Sequence, residues 1–119
     1  MRKLTFSLFV LVLLSLAFSV SAQDALPSIE VSDQVSLDNN IRVDSVTSDG
    51  PGFVVIHADN GEGAPGPVIG FLSIPNGTAD NLSVRIDATL ATPTLYAMLH
   101  ADTGEIGEYE FGSVEGADQ

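Results

Sequence analysis

The sequence has 119 residues, with 16 Asp and Glu, 4 Lys and Arg, 2 His, and neither Cys nor Trp. That length suits one domain and is too short for two well-buried cores. Without cysteine there is no disulfide, no thiolate zinc or blue-copper site, no cysteine nucleophile and no lipidated N-terminus. Two histidines are too few for most metal-hydrolase or multi-histidine copper sites.

Residues 1–22 read as a secretory signal peptide. Arg2 and Lys3 form a positive head, Leu4 to Val20 is a mostly apolar run, and Val20-Ser21-Ala22 ends it with small residues, predicting a cut before Gln23. An uncleaved anchor helix is the bland alternative, and the run is slightly short for a span. Cleavage leaves Arg42 and Arg85 against all 16 acids, a formal charge of −14. Such a chain lacks the clustered Lys and Arg that phosphate binding needs, which excludes nucleic acid as a partner. An anionic membrane surface repels it as well, so no stable membrane insertion is expected after signal removal. The charge favours solubility and cation association.

The remainder alternates short apolar runs with Gly, Pro, Asn and Asp, and no stretch sustains a helical repeat. Ser28 to Leu37 holds one or two short edge strands. Ile41 to Val46 predicts a strand with Ile41, Val43 and Val46 inward. Ser48 to Gly52 is a turn. Phe53 to His57 is continuously apolar and β-branched, the pattern of a strand buried on both faces. Asp59 to Pro67 is a glycine- and proline-rich loop, Val68 to Ile74 a strand, and Pro75 to Thr78 a turn. Leu82, Val84, Ile86, Ala88 and Leu90 alternate with polar residues and predict one half-buried strand. Thr94 to His100 is a second two-sided strand, and Glu108 to Phe111 is a last strand with Tyr109 and Phe111 on one face. Residues 113–119 form an acidic tail expected to fray, which leaves 23–112 as the domain. About seven strands joined by turns predict an all-β, antiparallel, immunoglobulin-like or cupredoxin-like β-sandwich.

One internal echo carries chemistry. Val55-Ile56-His57-Ala58-Asp59-Asn60-Gly61-Glu62 resembles Met98-Leu99-His100-Ala101-Asp102-Thr103-Gly104-Glu105. Each copy closes a strand with His and opens a loop with Asp. His57 with Asp59, and His100 with Asp102, share strand faces. If the strands are neighbours, one end of the sandwich gathers these groups, and imidazole with carboxylate suits a divalent ion such as zinc or copper. Sharing one ion requires imidazole nitrogens roughly 3–5 Å apart. The Asp-x-Gly-Glu loops also offer oxygens for calcium, without the alternating acids of a helix-loop-helix site. The plainer reading is a half-buried histidine bonded to loop backbone, followed by ordinary Asp-Gly turn chemistry. No Gly-x-Ser-x-Gly elbow and no phosphate-binding loop opening a helix is present. Asn76-Gly77-Thr78 and Asn81-Leu82-Ser83 match the glycosylation acceptor pattern.

Two resemblances follow. The segments Gly52 to Ala58, Gly66 to Gly70, Leu95 to Gly104 and Gly107 to Phe111 resemble a domain of unknown function found in secreted and cell-surface proteins of halophilic archaea and some bacteria. That likeness implies a secreted β-sandwich module, often one of several in a surface protein, and no known reaction. Tyr96 to Phe111 is faintly similar to the last hairpin of cupredoxins. Registered on His100 and Gly107, Ala97 falls where the copper-binding Cys belongs and Glu105 where the Met belongs. Both sulfur ligands are missing, so the likeness implies the sandwich without blue copper, with His57 near the other histidine position. Met98, two residues before His100, is expected in the core. The expected function is non-enzymatic, with no catalytic residue and no cofactor: binding an unidentified protein or surface component, or a structural part, in an extracellular, cell-surface or periplasmic setting. The alternative is a divalent-metal protein (copper, zinc or calcium) using His57, His100, Asp59 and Asp102.

Overall fold

The computed structural model describes residues 26–119; the predicted signal peptide lies outside them. Six strands follow in chain order: β1 (Ser28–Glu30), β2 (Asn40–Ser48), β3 (Gly52–Asp59), β4 (Pro65–Ile74), β5 (Gly77–Arg85) and β6 (Leu95–Ala101). They form two three-stranded antiparallel sheets, ordered β1-β2-β5 and β4-β3-β6. The two sheets face each other as a β-sandwich, with one strand fewer than the seven predicted.

The core between the sheets is aliphatic. Ile41, Val43 and Val46 of β2 and Val84 of β5 meet Val54, Ile56 and Ala58 of β3 and Ile69 and Ile74 of β4. The inward set predicted for β2 is therefore the set observed. Its period breaks between Val43 and Val46, and the ladder shows where. Val43 registers with Leu82 and Ser45 with Asp80, skipping Asp44 and Asn81. Asn81 takes a positive φ of 54°, a conformation Asn tolerates better than most side chains. Burial then moves to the other parity on β2.

The predicted strand from Leu82 to Leu90 is shorter at its C-terminal end and longer at its N-terminal end. β5 starts at Gly77 and stops at Arg85, and Ala88–Leu90 is one turn of 3-10 helix. Asp87 stops the strand, because its carboxylate accepts from the Thr89 amide at 3.1 Å and hydroxyl at 2.6 Å. Local side-chain bonds of this kind compete with a ladder. The Asp87 amide donates to the Ile69 carbonyl at 2.9 Å, which ties β4 to the chain leaving β5. A bulge between Ile56 and His57 lets Ile69 escape pairing and enter the core.

The free half of β2 is covered by side chains. The Gln34 carboxamide accepts from the Arg42 amide at 2.7 Å and donates to the Arg42 carbonyl at 2.9 Å. It satisfies the pair of groups that a neighbouring strand would satisfy.

β3 is buried along both faces from Gly52 to Ala58, as its sequence predicts. What covers its outer face was not predicted. Residues 102–119 fold back over β4-β3-β6 as an irregular strap. Residues 108–111 form no strand, and the end of the 113–119 segment is packed against the sheet. Ala117 is 5% exposed, Asp118 is fully buried, and the Gln119 carbonyl accepts from the Ala101 amide at 2.9 Å. Ala117 and Asp118 are thus part of the packed structure, not a solvated acidic tail.

At Gly70 the backbone of β4 passes close to the end of β5. A Cβ there would lie 2.2 Å from the Arg85 carbonyl oxygen, so backbone would have to move. Gly70→Ala is expected to destabilise the domain by about 1–3 kcal/mol, read as a lower urea midpoint with unchanged slope.

Candidate functional site

The site grows from the alternation of β3 and β6. Val54, Ile56 and Ala58 point into the sandwich, so Phe53, Val55 and His57 point outward. β6 registers His100 with Phe53, Met98 with Val55 and Tyr96 with His57. His100, Met98 and Tyr96 therefore share that outer face. The strands of the internal echo are direct neighbours, but they run antiparallel, so the two Asp-x-Gly-Glu loops leave opposite ends of the sheet instead of gathering at one end as expected.

Both histidines are 5% exposed. Their rings lie 5.9 Å apart between centroids and 21° from parallel, although their backbones sit four register steps apart. The Phe111 ring meets His100 at 4.5 Å and His57 at 6.4 Å, edge-to-face with each. Phe111 therefore seals the pair from the strap side. Tyr109 covers the adjoining patch, stacked on Phe71 at 4.2 Å and edge-on to Phe53 at 5.2 Å.

Each imidazole is anchored through Nδ1. His57 Nδ1 lies 2.8 Å from the Gly66 carbonyl, and His100 Nδ1 lies 2.6 Å from the Asp118 carbonyl. A carbonyl only accepts, so both Nδ1 atoms carry the proton and donate. In the neutral rings Nε2 then presents a lone pair. Both Nε2 atoms are buried and have no hydrogen-bond partner among the described residues.

Asp118 holds the strap in place. Its carboxylate accepts from the Thr103 amide at 2.8 Å and from the Glu110 amide, and its own amide donates to the Thr103 hydroxyl at 2.8 Å. Its φ is +57°. Burial and the nearby Asp118 charge, in that order, push the Tyr109 hydroxyl above its ordinary pKa.

The carboxylates of the echo do not join the histidines. Asp59 Oδ1 accepts from the Tyr96 hydroxyl at 2.8 Å and Oδ2 from the Gly61 amide at 2.8 Å. These bonds, Tyr96 first, hold Asp59 below its ordinary 3.8, and the same pairing raises Tyr96. Asp102 is buried, and its Oδ2 accepts from the Gly107 amide at 2.7 Å. Its Oδ1 is a further buried atom without a partner among the described residues. No group of three or more His, Cys, Asp or Glu side chains placed to hold a metal occurs among the described residues. The four-residue divalent site of His57, His100, Asp59 and Asp102 thus resolves into a histidine pair and two carboxylates engaged with their own loops. Met98 is corrected too: it is 37% exposed on the outer face rather than in the core.

Sequence reasoning missed Asp118, whose acidic neighbourhood reads as tail. It found Tyr109 and Phe111 as one face, but assigned that face to a strand. An open hollow of about 530 Å³ lies elsewhere, on the β1-β2-β5 side, and its lining includes Gln34, Asp38, Arg42, Asp44 and Ser83. It contains neither histidine.

A family model described as a domain of unknown function (DUF7282) matches residues 27–119. No curated protein and no solved structure matches the chain.

Two outcomes are expected. Asp118→Ala strips the part-buried Thr103 and Glu110 amides of their acceptor, so it should cost about 1–3 kcal/mol in all and speed amide exchange across 103–118. Asp59 stabilises the fold in its charged form, a contribution present above pH 3.8 and lost as pH falls through its lower folded value. Tyr96→Phe removes the main cause of that shift. The NMR-detected Asp59 titration should then rise toward 3.8, and the stability gap between the two proteins should close in acid.

Proposed function

We propose, for a chain that belongs to the DUF7282 family of domains of unknown function, that it is a secreted, non-enzymatic β-sandwich module. It works at the cell surface or exterior by binding a protein or surface component, or as a structural part of a larger assembly. One observation carries the reading: the four candidate groups of the internal echo are sealed or bonded to their own loops. His57 and His100 are buried under Phe111, and Asp59 and Asp102 are bonded to their own loops. General acid–base catalysis needs such a group within reach of a substrate.

Charge and the N-terminal pattern support the setting. The acidic surface suits a salty or cation-rich exterior and opposes nucleic acid. Among the described residues no helix is long and apolar enough to cross a membrane.

Two measurements test the reading. Expression of the full chain in a secreting host should deliver medium or periplasmic protein beginning at Gln23; retention in the membrane with residues 1–22 attached would refute secretion. A panel of hydrolase, lyase and redox substrates should show no turnover. Robust turnover lost on His57→Ala or His100→Ala would make the protein an enzyme.

A further inference from the structure

We propose that His57 and His100, with Met98 as a third donor, form a binding site for one soft monovalent metal ion of the copper(I) class beneath the strap. The starting point is the pair of unpartnered Nε2 atoms. Buried polar atoms in native folds are nearly always satisfied, and each exception calls for an explanation. Here two such atoms belong to neighbouring rings, in side chains only 5% exposed. Both rings have Nδ1 committed to a backbone carbonyl. This is the arrangement that fixes the tautomer of a metal-binding histidine and raises the basicity of its other nitrogen.

The spacing fits a shared ion. Metal–imidazole bonds run about 2 Å, so two rings joined through Nε2 to one ion stand no more than about 6 Å apart between centroids. The observed separation is 5.9 Å.

Donor chemistry selects the ion. No third His, Cys, Asp or Glu joins the pair among the described residues. Structural zinc wants four such ligands and calcium six to eight oxygens. Met98 stands on the same face at the register position between the two histidines, opposite Val55. Thioether sulfur favours copper(I), and imidazole binds it as well. A set of neutral donors leaves the ion's charge uncompensated, so a single charge costs less to bury than a double one. Met98 is 37% exposed, which gives the ion a route inward from solvent. The site is independent of the proposed role of the module.

The test uses the full chain kept anaerobic and reduced. It is titrated with copper(I) against a coloured chelator, and separately with silver(I) as a redox-inert probe. One ion should bind per chain. His57→Gln and His100→Gln should each weaken binding by at least about tenfold, on the scale of losses known even for groups behind the ligands. Met98→Leu should weaken it while leaving the melting temperature of the metal-free protein unchanged. Nitrogen NMR of the metal-free chain should show both Nε2 atoms unprotonated and both shifting on loading, a readout that does not depend on any variant folding. Absence of one-to-one binding, undiminished affinity in a folded His57→Gln/His100→Gln double variant, or a proton found on Nε2 would overturn the site. Tighter binding of zinc than of copper(I) would overturn the monovalent assignment. Unchanged affinity in Met98→Leu would remove the thioether from the ligand set.

Discussion

β3 is hydrophobic on both sides, and a strand of that kind needs two covers. From Gly52 to Ala58 nothing is left to water. The first cover is the opposing sheet, through Ile41, Val43, Val46 and Val84. The second is not a sheet, because the described residues hold no further strand. It is the irregular strap, in which Tyr109 and Phe111 supply the hydrophobic contacts and Asp118 supplies the fastening. The remaining features are arranged around this constraint. The histidines are buried because the strap lies on them, and the strap stays because the His100 ring donates to its Asp118 carbonyl.

This dependence explains which parts of the fold are legible in the sequence. The two-sided run Phe53 to Ala58 and the inward set Ile41, Val43 and Val46 announce themselves, because burial writes directly into hydrophobic pattern. The echo pointed to the two histidines, but it placed them at one shared end; the antiparallel register sets them four steps apart, and only their rings lean together. The strap was not readable. It carries few apolar residues, and its anchor is a carboxylate whose burial is satisfied by backbone amides. No periodicity encodes such a bond. The end of β5 was misread for a related reason. Ile86, Ala88 and Leu90 keep the period of two, yet Asp87 captures the Thr89 amide and turns the chain. A local side-chain bond outweighed the pattern.

The carboxylates of the echo show the same limit. Sequence places Asp59 and Asp102 two residues after a histidine and nothing more. Which way each turns is decided by Tyr96, reaching across the strand pair to Asp59, and by the Gly107 amide, available to Asp102 only because its loop doubles back. Gln34 and Arg42 tell a parallel story at the far sheet. There a side-chain amide stands in for a missing strand and blunts an edge that would otherwise invite pairing with another chain.

The position of the fastening has a kinetic consequence. Asp118 lies 18 positions beyond His100, so the second cover of β3 comes from sequence that follows all six strands. In a polypeptide made amino end first, residues 102–119 must leave the ribosome before Phe111 and Asp118 can reach β3. Closure of the outer face is therefore the later step of the two, and Phe53 to His57 wait for it with one side uncovered.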